Sequence, residues 1–340
     1  MKKAFAGSIL LILLAVVGLA PAALAQPPAY TWKFATLCPA NVGWAVHIEN
    51  LVMPAINEAT DGNFQAKIYW GGILGADEDY VRHMKEGRIQ GAGLSALGMG
   101  LICPEMNILT LPFLFRDYAE VDYIRQTMTE DFEKLLTANG FFLVAWVDQD
   151  FDQIYSTKFP MTELDHFKQT KFIGWSGPVE ASVIKELGAS SVPVSVTDAA
   201  ATLRSGGVDA AISPAIWMVG SQLYSTIRYI NAAKIRYSPG LIVVTNETWQ
   251  TLNESYREKF HSMRDEVMSK YCLAIRRDNE RCMQSMIEYG VQMSQMTPDQ
   301  RKLLENQTRP LWNKLAGDLY PQTMLDKLTG HLKVFREDGQ

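Results

Sequence analysis

Phe141-Phe142-Leu143-Val144-Ala145-Trp146-Val147 and Gly240-Leu241-Ile242-Val243-Val244-Thr245 are the two strongest apolar strand-like runs of the chain beyond its N-terminal segment. Each is short, rich in aromatic and β-branched residues, and lacks the polar alternation of a half-solvated strand. Each therefore predicts a strand covered on both faces, as in a mostly parallel sheet. Before the first run, strands are predicted at Tyr30 to Thr36, Phe64 to Tyr69 and Ile89 to Ala92, with helices over Gly43 to Thr60 and Asp77 to Glu86. Between the two runs the rhythm resumes, with strands at Lys171 to Ile173, Ser191 to Val196 and Ala210 to Ile212. Helices over Pro178 to Leu187, Asp198 to Arg204 and Ala215 to Thr226 separate and follow them. The fold class is α/β, and the two apolar runs bracket a block of about one domain's size. They read as the crossings of a hinge. Lobe I then comprises residues 26–148 and about 240–270, and lobe II residues 149–239 and about 271–340, with a ligand between them at the carboxyl ends of strands. One continuous domain with an insertion is the alternative.

Downstream, Thr248 to Glu288 is charged, amphipathic and nearly free of breakers, which predicts a long helix with an apolar stripe that secures both lobes. Thr297-Pro298-Asp299-Gln300 is a helix start, with Thr as cap, Pro in the first turn and Gln three residues after the cap.

The chain has 340 residues, 47% of them apolar, enough to bury two cores. Its 32 Lys and Arg against 37 Asp and Glu give a formal charge of -5. That sign is opposite to a nucleic-acid footprint, so no nucleic-acid partner is expected. Lys2 and Lys3 precede the apolar run from Ile9 to Leu19, and Ala23-Leu24-Ala25 supplies a small-x-small cleavage site. Residues 1–25 read as a secretory signal peptide. The run is interrupted near its end by Gly18 and Pro21 and is shorter than the roughly 20 residues that span a bilayer. Removing Lys2 and Lys3 leaves 30 basic against 37 acidic residues, a formal charge of about -7. No second long apolar run follows and no Cys stands just after the cleavage site. The mature protein is expected to be soluble, not itself membrane-spanning, and located in the periplasm.

That compartment permits disulfides, and Cys38, Cys103, Cys272 and Cys282 allow three complete pairings among which the sequence does not choose. Within one uninterrupted helix, Cys272 and Cys282 stand about 15 Å apart, beyond disulfide reach. Cys38 and Cys103 each follow a predicted strand, and buried free thiols are the alternative. There is no Cys-x-x-Cys, His-Glu-x-x-His, Gly-x-Ser-x-Gly or Gly-x-Gly-x-x-Gly pattern. No metal, no cofactor and no enzymatic activity are expected.

The run Gly62-Asn63-Phe64-Gln65-Ala66-Lys67-Ile68-Tyr69-Trp70-Gly71-Gly72-Ile73-Leu74-Gly75 resembles the extracytoplasmic solute receptors of tripartite ATP-independent periplasmic (TRAP) transporters. So do Glu86-Gly87-Arg88-Ile89-Gln90-Gly91, Leu111-Pro112-Phe113-Leu114-Phe115 and Lys185-Glu186-Leu187-Gly188-Ala189. Ala201-Thr202-Leu203-Arg204-Ser205-Gly206-Gly207-Val208-Asp209 and Leu241-Ile242-Val243-Val244-Thr245-Asn246-Glu247-Thr248-Trp249 follow in the family's order. The matches cover nearly all of the mature chain. The resemblance implies a two-lobed periplasmic-binding-protein fold with hinge strands and a long lobe-spanning helix. It also implies a solute closed between the lobes and delivery to a permease of small and large membrane subunits, driven by an ion gradient.

Departures from the family bear on the ligand. Most members hold organic acids through an arginine two residues after the lysine of a Lys-Ile-Arg strand, where a guanidinium fork matches a carboxylate. Here Lys171-Phe172-Ile173-Gly174-Trp175 places Ile173 at that position. The family's Val-Asp-Gly-Gln-Glu-Asn-Pro run reads Val208-Asp209-Ala210-Ala211-Ile212-Ser213-Pro214, with Ile212 in place of Glu. If both face the cleft, the ligand is uncharged or largely apolar, since a carboxylate beside Ile173 would lack a paired cation. Trp44, Trp146, Trp175 and Trp217 fall where the family directs residues toward the cleft, and Phe151 is a further aromatic candidate. Asn41, Gln149, Asp150, Ser176 and Ser213 can orient the ligand by hydrogen bonds. Within Trp146 to Asp152, three carboxylates follow the apolar strand at a spacing that suits a cation site, or simply a solvated loop. Two other accounts stand beside import. One is carriage of a lipid-like or other hydrophobic metabolite without a permease, and the other is carboxylate binding through a cation at a non-standard position.

Overall fold

The computed structural model describes residues 28–338; the expected signal peptide lies outside the described residues. Among the described residues nine strands appear in chain order: β1 (Tyr30–Thr36), β2 (Phe64–Tyr69), β3 (Gly91–Leu94), β4 (Phe141–Ser156), β5 (Lys171–Gly174), β6 (Ser190–Pro193), β7 (Ala210–Ser213), β8 (Tyr229–Thr245) and β9 (Gln292–Ser294). They form one sheet in the order β2-β1-β3-β8-β4-β7-β5-β6, with β9 beside β8. Two parallel triplets, β2-β1-β3 and β7-β5-β6, flank the long antiparallel pair β8-β4. The fold is the mixed α/β class expected from the rhythm of the sequence.

The two apolar runs are the ends of these long strands. Residues 241–244 of β8 pair with β3, while its first residues pair with β9. The far end of β4, Gln153 to Ser156, pairs with β7. Each long strand therefore passes from one triplet to the other. The β4–β8 ladder shifts register between Leu143 and Ala145, between Asp148 and Asp150, and between Asp152 and Ile154. Bulges add twist and re-aim side chains, and the second and third fall at the passage from the stretch beside β3 to the stretch beside β7. The 148–152 segment, expected as a loop after the strand, is thus the middle of β4, because its backbone continues to pair with β8 through these irregularities.

The expected long helix is split. A short helix, Asn246–Thr251, ends at Leu252, and the Asn253 side chain accepts a hydrogen bond from the Tyr256 amide at 2.8 Å to start Glu254–Tyr289 afresh. That helix spans 36 residues without interruption, so Cys272 and Cys282 do not meet, and all four cysteines are free. It bonds to Asn63 through Tyr256 and to the Gln149 carbonyl and Ile216 amide through Asn279. A 21-residue helix, Tyr118–Ala138, capped by Asp117, lies in a stretch for which the sequence reading proposed no element. β3 begins at Gly91 rather than Ile89.

Gly91 is required by a close approach. A β carbon there would stand 2.4 Å from the Phe34 ring and 2.6 Å from the Val243 carbonyl oxygen. Gly91→Ala is expected to lower stability by about 1–3 kcal/mol, since backbone and ring must both shift. A urea-unfolding midpoint equal to wild type would contradict this.

Candidate functional site

A cavity of about 190 Å³ opens between the sheet and its helical cover. On the sheet side its wall is Phe34, Phe64, Ala66, Ile68, Val144 and Ile242. β3 adds Gly93 and Leu94, and Gly93, which lies between Thr36 of β1 and Ile242 of β8, presents no bulk to the space. Facing it are Ile48, Met53 and Ile56 from the 43–59 helical stretch, and Phe260, Met263 and Val267 from the long helix. Phe34, Ile68, Val144, Ile242, Met263 and Val267 are only half-buried although they lie between sheet and helices. Together these residues enclose an apolar chamber between the sheet and the helices.

At its other end the cavity meets β4, β7 and the loop after β5, and becomes polar. Arg236 of β8 is 3% exposed, and its Nε and Nη2 donate to Asp152 Oδ2 at 2.8 and 2.7 Å. Its Nη2 also lies 3.3 Å from Glu180 Oε1. Glu180 Oε2 accepts from the Trp175 and Ser176 amides at 3.0 and 2.9 Å, which fixes the loop that carries Trp175. Burial pushes the Asp152 carboxyl up to about 6, against the pull of Arg236, and raises Glu180 as well. One guanidinium thus serves two carboxylates. Arg236 Nη1, Asp152 Oδ1 and Trp44 Nε1, all on wall residues, have no hydrogen-bond partner. The other cation of the wall, Arg264, is held by Glu133 at 2.6 Å.

The structure brings Trp44, Gln149, Trp175, Ser176, Ile212, Ser213 and Trp217 to this wall. Trp175 meets Trp217 edge to face at 4.4 Å, and its Nε1 donates to the Ile212 carbonyl at 3.1 Å. The remaining expected residues lie elsewhere. Asn41 is exposed with φ 62. Trp146 is buried against Phe132 and donates to the Tyr237 hydroxyl, and Phe151 packs on Tyr118 and Tyr237. Ile173 is fully buried in a core cluster with Leu203, Val208 and Ile230, because both faces of β5 are covered. It does not line the cavity, whereas Ile212 does. Arg236 was not among the expected residues; it and Lys234 are the two charges inside β8, and only Arg236 is buried. Trp32, Phe34 and Phe64, which also line the cavity, stand in predicted strands whose alternation does not tell a cavity wall from core.

The three acids of β4 do not converge. Asp148, fully buried, pairs with Arg125 and Arg276 and accepts from Tyr237 at 2.6 Å, and these cations hold its carboxyl below the usual range. Asp150 accepts from the Tyr118 hydroxyl at 2.6 Å, and Asp152 belongs to Arg236. Among the described residues no group of three or more His, Cys, Asp or Glu is placed to hold a metal ion. The cation site suggested by their spacing is replaced by three separate pairs. Burial pushes the Cys38, Cys103 and Cys272 thiols up to about 11, 12 and 12, the opposite of an activated nucleophile.

Burial also pushes Asp150 up to about 7 and Asp77 up to about 6. For such groups the stabilising form is protonated, so stability is full below the unfolded value and is lost as pH rises through 6 to 7. The urea-unfolding free energy is expected to fall on the order of 3 kcal/mol from pH 5 to pH 8, and Asp150→Asn to remove part of the slope. A flat profile in wild type would refute this.

A family model described as bacterial extracellular solute-binding protein, family 7, matches residues 47–318. The 2,3-diketo-L-gulonate-binding periplasmic protein YiaO of Escherichia coli is 21% identical over 264 residues, 76% of this chain and 80% of that protein. The C4-dicarboxylate-binding periplasmic protein DctP of Vibrio cholerae is 21% identical over 271 residues, 79% of this chain and 81% of that protein. The crystal structure of the sugar acid binding protein DctPAm from Advenella mimigardefordensis, in complex with galactonate, matches with a TM-score of 0.84 at 18% identity. It covers 91% of this chain and 99% of that one, and shows a common fold. The chain belongs to the family 7 solute-binding proteins: it is a periplasmic receptor of TRAP type that binds a small solute for permease membrane subunits, and not an enzyme.

Proposed function

We propose, with that membership as premise, that this receptor closes on a small, largely apolar organic ligand and hands it to its permease. The chamber carries the reading: apolar walls from β1, β2, β4 and β8 face apolar helix residues across unfilled space. Ile212 in place of an acid supports it. Closure brings the lobe formed by residues 26–148 and about 240–270 onto the lobe formed by 149–239 and about 271–340, with the β4–β8 pair as hinge. Trp44, Trp175 and Trp217 cover the ligand, while Gln149, Ser176 and Ser213 orient it.

A second reading, a carboxylate ligand held by Arg236, is favoured by the acids named in the relatives' descriptions and by the place of Arg236 in the wall. Against it, Arg236 already faces Asp152 and Glu180. Mass spectrometry of a solvent extract of the purified receptor, with titration of the neutral dye N-phenyl-1-naphthylamine, decides between them. An apolar compound in the extract and saturable dye binding are expected. A sugar acid or dicarboxylate in the extract, with no dye binding, would overturn the proposal. Trp175→Ala is expected to weaken dye binding roughly tenfold while leaving the unfolding midpoint nearly unchanged. Equal affinity would assign Trp175 to scaffold.

A further inference from the structure

The cavity is drawn out along the sheet, and its two ends differ in character. The long helix supplies Phe260, Met263, Val267 and Tyr271 to its wall, a spacing of three or four residues that keeps one face toward the space for about 16 Å. On β8, Arg236, Ser238, Gly240 and Ile242 line it, every second residue over about 20 Å of strand. The helix starts beside β2, where Asn63 donates to the Tyr256 hydroxyl at 2.9 Å, and passes the polar end at Asn279, which donates to the Gln149 carbonyl at 2.8 Å. Strand register gives the same direction. Ala66 is level with Trp32, and Phe34 is level with Gly91, itself opposite Val244, so Phe64 and Ala66 stand at the end farthest from Arg236. That far end is apolar, with Phe260 across from the two. Arg264, on the same stretch of helix, is turned to Glu133 at 2.6 Å. About 190 Å³ spread over such a length forms a passage, apolar at its blind end and polar where it meets β7 and the loop after β5.

We infer that the ligand is an unbranched aliphatic amphiphile of medium chain length, its chain laid along the passage beneath the long helix and its polar head at the Arg236 end. An extended chain advances about 1.2 Å per bond, as the polypeptide does over its three bonds per residue, so a 16 Å wall takes roughly ten to thirteen carbons. A compact body with the same number of carbons leaves one end of the passage empty and forfeits that burial. The inference rests on the reading that an apolar body fills the chamber, and adds to it the shape and direction of that body.

Calorimetry on receptor freed of carried ligand tests it with hexan-1-ol, decan-1-ol and the branched isomer 2-propylheptan-1-ol. Decan-1-ol is expected to bind about 100-fold tighter than hexan-1-ol, since each added methylene finds apolar wall. It is also expected to bind about tenfold or more tighter than its isomer, whose shorter main chain stops before the far end. Ala66→Phe, which fills that end, is expected to lower decan-1-ol affinity about tenfold and leave hexan-1-ol affinity unchanged. Equal affinities for the two isomers would overturn the chain inference and leave the apolar reading standing, as would an Ala66→Phe effect that is the same for both chain lengths. Failure of all three alcohols while N-phenyl-1-naphthylamine binds would overturn the chain inference alone. If the dye fails as well, the apolar reading falls with it.

Discussion

Arg236→Met is expected to be among the most damaging single changes in this protein, lowering stability by about 3–5 kcal/mol at pH 8. Methionine fills similar volume, so packing is not the reason. The substitution leaves Asp152 and Glu180, both fully buried, facing each other without a cation. The damage has a pH signature. Without Arg236, which pulls it down in wild type, the Asp152 carboxyl rises further, so as pH falls it takes up its proton and one of the two uncompensated charges disappears. The gap between variant and wild type should therefore narrow between pH 8 and pH 5. Urea unfolding of both proteins at the two pH values checks this, and a gap that stays constant would mean that Arg236 stabilises by packing alone. Asp152→Asn in the Arg236→Met background should recover part of the loss at pH 8, since it removes one of the two stranded charges.

Val267→Trp is expected to have the largest effect on binding. Val267 is half-buried on the long helix and faces the sheet across the chamber, so an indole there fills part of the space proposed for the ligand. Excluding a Leu- or Phe-sized portion of ligand forfeits about 1.5–3 kcal/mol of apolar burial. N-phenyl-1-naphthylamine affinity should then drop by roughly 10- to 100-fold. Folding should be unaffected or improved, because the new side chain covers apolar surface that wild type leaves half-exposed. Val267→Ala, which enlarges the chamber, should keep dye binding. If Val267→Trp binds dye as well as wild type, the chamber is not where apolar ligands sit, and the proposed function loses its main support.

The alternation of Tyr30 to Thr36, the glycine breaks and the two apolar runs near 141 and 241 carry their meaning locally. A strand buried on both faces must be apolar whatever surrounds it, and a cap residue acts within three positions of itself. For that reason the α/β class, most element positions, the family and its periplasmic setting were legible from residues alone. The candidate site was legible only in part. Trp44, Trp175, Trp217 and Ile212 reach the cavity wall, whereas Trp146, Phe151 and Ile173 are core. Nothing local distinguishes these outcomes, since a buried tryptophan and a cleft tryptophan need the same neighbours in sequence.

Pairing across large sequence distances decided the rest. Arg236 meets Asp152 and Glu180 from positions 84 and 56 residues away, so its pairing is set by the docking of distant segments. The chamber likewise depends on Gly93 of β3 lying beside β1 and β8, so that a missing side chain in one strand becomes space between three strands and two helices. Charge balance and empty volume are sums over neighbours in space. The order of residues along the chain fixes which strands can form, but only their docking sets those sums, and with them the chemistry of the ligand.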